Sequence, residues 1–149
     1  MTAQETRTEI TLNLTRTYSA PRDDVFRAWT EPEALKRWFA PSDEFSTPIA
    51  EVDLRVEGAY RIGMKPPDQE DMFIVVGTYR EVQPPEKLIF TWSWEQGMDV
   101  GETLVTVEFS DLGGSTEVVL THELFPNEQA RDKHNEGWSG CLERLEKIL

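Results

Sequence analysis

The last seventeen residues, Lys133–Leu149, read "KHNEGWSGCLERLEKIL". Their spacing is helical. At about 100° per residue, His134, Trp138, Cys141 and Leu145 fall within about 60° of one another, with Ala130, Leu142, Ile148 and Leu149 at their flanks. Asp132, Asn135, Glu136, Ser139, Glu143, Glu146 and Lys147 take the other side. Asn127, after Pro126, suits an N-cap, so the spacing predicts a terminal helix of about 22 residues, roughly 33 Å long, laid with one face on something apolar.

What it lies on is the preceding stretch. From about residue 47 to 124, strand-like runs alternate with turn signals: "PIAEVDLRV", "AYRIGM", "KPPDQE", "DMFIVVGTYREV", "QPPE", "KLIFTWSW", "EQGMDVG", "ETLVTVEF", "SDLGGS" and "TEVVLTHEL". Short connections at near-regular intervals predict hairpins in an antiparallel meander of six strands. A seventh lies upstream. In "TEITLNLTRTY", Ile10, Leu12, Leu14 and Tyr18 alternate with polar residues in the period of a half-buried strand, and the first six residues are expected to be loose.

Between that strand and the meander the period changes to helical. Pro21 suits a first helical turn, Asp23 and Asp24 complement its dipole, and Val25, Phe26 and Trp29 share a face. Pro32 disfavours a helical Glu31, so this helix should end near Thr30. Thr30 and Glu33 have capping-box spacing for a second short helix carrying Leu35, Trp38 and Phe39. The reading is an α+β domain spanning 1–149: a seven-stranded curved antiparallel sheet, two short helices after strand 1, and a long C-terminal helix packed across the sheet.

Composition narrows the partners. The net charge is −13, from 28 acidic and 15 basic residues, with no cluster of Lys and Arg, so nucleic acid is excluded. The acidic residues are spread along the chain and report a solvated surface. No window approaches the roughly 18 apolar residues of a membrane span. One cysteine allows no internal disulfide, and with no secretory leader pattern the expected location is cytoplasmic.

The order of elements, with "VFRAWTEPEALKRWFAP", "EVDLRVEGAYRI", "PPEKLIFTW", "STEVVLTHELF" and "EGWSGCLERL", resembles the Hsp90-ATPase-activator-homologue family of the START-like helix-grip superfamily. The resemblance covers roughly residues 10–149. It implies a cavity between the sheet and the long helix, which in the superfamily holds lipids, sterols, flavonoids or polyketides. Two positions depart from the family pattern: Glu57 stands where a second glycine often precedes Gly58, and Phe39-Ala40 replaces Trp-Gly before Pro41.

His134 and Cys141 look like a reactive pair, yet seven helical residues separate them by about 10.5 Å where a nucleophile and its base need about 3 Å. They cannot pair. His122 is the better partner for either, since it shares strand parity with Val118, Leu120 and Leu124 and should face the helix. The favoured reading for both histidines is a polar wall or satisfied core role, ahead of a ligand hydrogen bond; proton transfer or metal binding comes last, because no spacing supplies three or four metal ligands. Cys141 reads as a small buried apolar residue.

Phe90, Trp92 and Trp94 alternate on one strand face and either line a pocket or fill the core. The residues expected at a ligand are Trp38, Phe39, Tyr60, Met72, Ile74, Phe90, Trp92, His122, His134, Trp138 and Cys141, with no catalytic residue, metal or cofactor assigned. Asp53 and Arg55 share a strand face with Glu51 and are read as bridging neighbours. Gly137 flanks the apolar stripe and would permit close approach, whereas Gly140 points to the polar side. The expected function is binding of a small apolar or aromatic molecule. A cyclase- or hydrolase-type enzyme in the same cavity and a chaperone-regulating module are the alternatives, and a homodimer is open.

Overall fold

The computed structural model describes residues 10–96 and 100–149; the N-terminal segment expected to be loose, and part of the turn after the fifth strand, lie outside these. Seven strands form one sheet, β1 (Leu12–Tyr18), β2 (Ser46–Val52), β3 (Ala59–Lys65), β4 (Phe73–Gln83), β5 (Lys87–Trp94), β6 (Thr103–Asp111) and β7 (Thr116–Glu123). Helices α1 (Arg22–Thr30) and α2 (Pro32–Trp38) follow β1, and α3 (Glu128–Ile148) closes the chain. The strand order β1-β7-β6-β5-β4-β3-β2, antiparallel throughout, is a meander with the first strand added beside the last. This is the α+β element order that the periodicities predict, in the helix-grip arrangement that the resemblance implies.

The period-2 pattern of β1 and β7 holds in detail. Leu12 and Tyr18 are buried with exposed residues between, and in β7 Thr116, Val118, Leu120 and His122 are all nearly inaccessible. Leu124 leaves the pattern, because its φ of 73° turns the chain and puts the side chain 49% exposed. Parity arguments end where the strand does.

Local chemistry differs from expectation at three further places. Pro21 is the N-cap of α1, just outside its first turn. The capping box of α2 does not form: Glu31 is the N-cap with no side-chain bond, and the Thr30 hydroxyl donates back to Phe26 O at 3.1 Å. A buried hydroxyl at the end of α1 satisfies itself locally, and Pro32 removes a donor that a cap would serve. Asp53 and Arg55 lie beyond the end of β2, in the β2–β3 connection, and pair with each other at 2.9 Å instead of with neighbouring strands.

In that same connection Glu57 has a φ of 71°, with its N–H donating to Tyr79 O at 2.7 Å. A side chain in left-handed backbone costs about 1–2 kcal/mol, while glycine loses about 0.5–1 kcal/mol more chain entropy on folding. Glu57→Gly is therefore expected to stabilise the fold by about 0.5–1 kcal/mol and raise Tm by about 2 °C, read by thermal unfolding. An unchanged or lower Tm contradicts it.

Helix α3 crosses the sheet with Trp138, Cys141, Leu142 and Leu145 buried, and Asn127 caps it by accepting from Ala130 N at 2.8 Å. Its two glycines are reversed from the sequence reading. A Cβ on Gly140 would sit 1.9 Å from Pro41 O, whereas one on Gly137 would meet nothing within 4 Å. The helix packs on two partners, the sheet and the α2–β2 connection, so the side that looks polar against the sheet alone is occupied by backbone at Gly140.

Arg144 locks the second contact. It donates to Arg37 O at 3.0 Å and Trp38 O at 3.2 Å, carbonyls at the end of α2, and pairs with Asp43; Lys147 reaches the same carboxylate at 3.0 Å. A helix ends with carbonyls lacking internal partners, and a guanidinium is well suited to take two of them. The paired Lys147 and Arg144 hold the exposed Asp43 carboxyl below its ordinary pKa.

Candidate functional site

The aromatic residues divide into two sets. Trp29, Trp38, Phe39, Trp92 and Trp138 form a packed chain, with centroid separations of 4.9 Å for Trp29–Trp38, 5.8 Å for Trp29–Trp138, 5.6 Å for Phe39–Trp138 and 5.0 Å for Trp92–Trp138. Tyr60, Tyr79 and Phe90 pack nearby, 5.4 to 6.0 Å apart, with Tyr60 donating to Thr91 O at 2.6 Å. The void between Trp29, Phe39, Tyr60, Tyr79, Phe90 and Trp92 measures about 20 Å³. This half of the interior is full.

The other half is not. Between the N-terminal half of α3 and the ends of β3, β4 and β5 lies a cavity of about 620 Å³. Trp92, Trp94 and Trp138 form walls, with Phe39, Met64 and Phe73. Pro41, Phe45, Val100, Ala130, Gly137 and Cys141 complete its apolar lining, and the exposed Asn127, Gln129, Lys133 and Glu136 stand at its mouth.

Both histidines are held behind or beside these walls by indoles. Tryptophan N–H can only donate, which fixes the ring tautomers. Trp138 Nε1 donates to His122 Nδ1 at 3.1 Å, so His122 Nε2 carries its proton and donates to Thr103 Oγ1 at 2.7 Å; that hydroxyl donates on to Trp92 O at 3.1 Å. Trp94 Nε1 donates to His134 Nε2 at 3.0 Å, and His134 Nδ1 donates to Ala130 O at 2.8 Å. All four ring nitrogens are occupied.

Burial reinforces this state. It drives the His122 pKa well below the ordinary histidine value, with the neighbouring His134, at a ring separation of 5.2 Å, as a second cause. Burial also lowers His134, opposed by its bond to Ala130 O. Both are neutral at pH 7. Burial pushes the Cys141 thiol up to about 12, so it is no thiolate at neutral pH. Among the described residues no group of three or more His, Cys, Asp and Glu is arranged to hold a metal ion, and no helix is long and apolar enough to cross a membrane.

Of the residues singled out in the sequence, the structure places Phe39, Trp92, His134, Trp138 and Cys141 on the cavity. Tyr60 and Phe90 belong to the filled half, and Trp38 is fully buried, donating to Ala28 O at 2.8 Å. His122 is fully buried and does not line the cavity, standing behind Trp92, His134 and Trp138, which do. Met72 and Ile74 have the opposite parity to Phe73, which lines the cavity, and neither lines it. Met64, Phe73 and Trp94 were legible as alternating strand residues; Phe45, in a connection, carries no periodic signal.

The fold recurs in solved structures. Protein CV1439 from Chromobacterium violaceum is 26% identical with a TM-score of 0.84, covering 93% of this chain and 96% of its own. Protein NE0264 from Nitrosomonas europaea is 27% identical with a TM-score of 0.78, covering 94% of each chain. The AHSA1 protein SPO3351 from Silicibacter pomeroyi, at 21% identity, shares the fold with a TM-score of 0.80 over 93% of this chain and 96% of its own. No curated protein matches. The model of the family described as "Activator of Hsp90 ATPase homolog 1-like protein" matches residues 19–149, and together with the helix-grip architecture this establishes that the chain belongs to that family.

Proposed function

We propose that the protein binds a small, largely apolar and aromatic molecule in the cavity between α3 and the ends of β3, β4 and β5. The supporting observation is the cavity itself: about 620 Å³, walled by aromatic rings and opening beside α3, in a domain whose other half is packed solid. That volume lies within the 300–1,000 Å³ typical of small-molecule sites. Burying roughly 300 Å² of ligand apolar surface contributes about 7 kcal/mol before association costs, less than the roughly 8 kcal/mol of a micromolar complex, so burial of that area alone gives binding weaker than micromolar.

The hydrogen-bond inventory favours binding over histidine acid-base chemistry. A general base needs a free lone pair and a pKa near the working pH. His122 and His134 have every ring nitrogen committed and pKa values displaced downward.

Gly137 supplies the test. Its Cβ direction meets nothing within 4 Å and it borders the cavity, so the first carbon of Gly137→Leu enters open space and the added bulk crowds the edge of the binding volume. Titration of wild-type protein with a panel of flavonoid, polyketide-like and fluorescent lipid probes, followed by tryptophan fluorescence, is expected to show saturable binding. Gly137→Leu is expected to weaken it by at least about tenfold, a loss of 1.4 kcal/mol or more, while the fold is retained. Absence of saturable binding to wild type, or equal binding by the variant, removes this function.

A further inference from the structure

We infer that the Trp94–His134 hydrogen bond sets the ligand specificity of the cavity, by cancelling an indole donor on β5 against an imidazole acceptor on α3 so that the site selects ligands whose buried end carries no hydrogen-bonding group. This rests on the binding function proposed above. Among the described residues, the other indole and imidazole nitrogens of the inner wall are accounted for. The Trp138 indole is committed to His122, and the Trp92 indole nitrogen, though without a partner, is buried out of reach of the cavity surface. His134 Nδ1 is committed to Ala130 O.

That leaves Trp94 Nε1 and His134 Nε2. Both residues are half-buried and line the cavity, and at 3.0 Å each satisfies the other across the gap between β5 and α3. A ligand hydroxyl entering this wall finds no free partner and loses its hydration without compensation. At the mouth the reverse holds, because Asn127, Gln129, Lys133 and Glu136 are exposed and a ligand's polar group there stays in water. The ligand class is thus a molecule with a hydrocarbon or aromatic body inward and its polar groups confined to the outer end.

Breaking the pair from either side gives opposite selectivities. Trp94→Phe keeps an aromatic wall and frees the His134 Nε2 lone pair, an acceptor that rewards a ligand donor. His134→Phe frees the Trp94 N–H, a donor that rewards a ligand acceptor. Symmetric probes ensure that the same group enters whichever end leads: biphenyl with a methyl at both para positions, with a hydroxyl at both, or with a methoxy at both.

Affinities are measured by titration calorimetry and compared as ratios to the dimethyl probe, so that differences in hydration cancel between variants. Wild type is expected to prefer the dimethyl probe over the dihydroxy probe by at least about tenfold. Trp94→Phe should shift the dihydroxy ratio by about tenfold in favour of the hydroxyl probe, and His134→Phe should shift the dimethoxy ratio by about tenfold in favour of the ether. Ratios within twofold of wild type in both variants overturn the specificity assignment while leaving the cavity as a binding site. Failure of wild type to bind the dimethyl probe, with no effect of Gly137→Leu on any probe, overturns the binding function and this inference with it.

Discussion

Replacing Gly140 with alanine is expected to destabilise the protein by about 2–3 kcal/mol, while the same replacement at Gly137, three residues earlier on the same helix, stabilises it by about 1 kcal/mol. The gain at Gly137 is helix propensity alone, because the new methyl meets nothing within 4 Å. At Gly140 that gain is overwhelmed. The methyl would lie 1.9 Å from Pro41 O and 2.8 Å from Pro41 C, and these are backbone atoms that cannot rotate aside. Relief requires α3 to move off the α2–β2 connection. Yet Arg144 ties the helix there through Arg37 O, Trp38 O and Asp43, and the Tyr18 hydroxyl ties its next turn by donating to Leu142 O at 2.9 Å. Because propensity is common to both substitutions, the difference between them measures packing. Urea unfolding of the two variants reads it directly, and a Gly140→Ala stability within 0.5 kcal/mol of wild type would refute the close contact as an energetic constraint.

The second large effect is loss of stability in mild acid. His122 is neutral in the folded protein with its pKa held well below the ordinary value, chiefly by burial. The unfolded chain takes up a proton near pH 6.5 and the folded one does not, so the unfolded state binds more protons as pH falls. Stability is therefore level above about pH 7.5 and declines below about 6.5, by up to about 1.4 kcal/mol per pH unit from His122 until the folded-state pKa is reached. The half-buried His134 adds a smaller decline of the same sign. The window to measure runs from pH 6.5 to 5. Urea midpoints measured across it, for wild type and His122→Gln, should show a slope in the first that is reduced in the second. A flat wild-type profile would mean that folding does not hold His122 neutral across this range.

The two glycines and the two histidines show where sequence reasoning reached and where it stopped. Strand and helix periods are local properties: alternation in "TEITLNLTRTY" and the stripe from His134 to Leu145 each follow from the geometry of one element, so the α+β element order was readable residue by residue, and the resemblance added the helix-grip arrangement. The geometric veto on a His134–Cys141 pair was local too, since both lie on one helix. Parity failed only where an element ended, at Leu124, or where two parities were equally apolar, as around Met72, Phe73 and Ile74.

The sequence by itself determined seven strands, three helices, their order and the inward face of most of them, because those depend on spacing along one element. The tertiary structure alone decided that Phe90 and Tyr60 fill the core while Trp92 and Trp94 border open space. It also decided that Gly140 and not Gly137 is the close-approach residue, and that each histidine accepts a hydrogen bond from an indole of a different element. Void volume, backbone contact and hydrogen-bond pairing are sums over several elements brought together by folding. No periodicity within any one of them encodes the result.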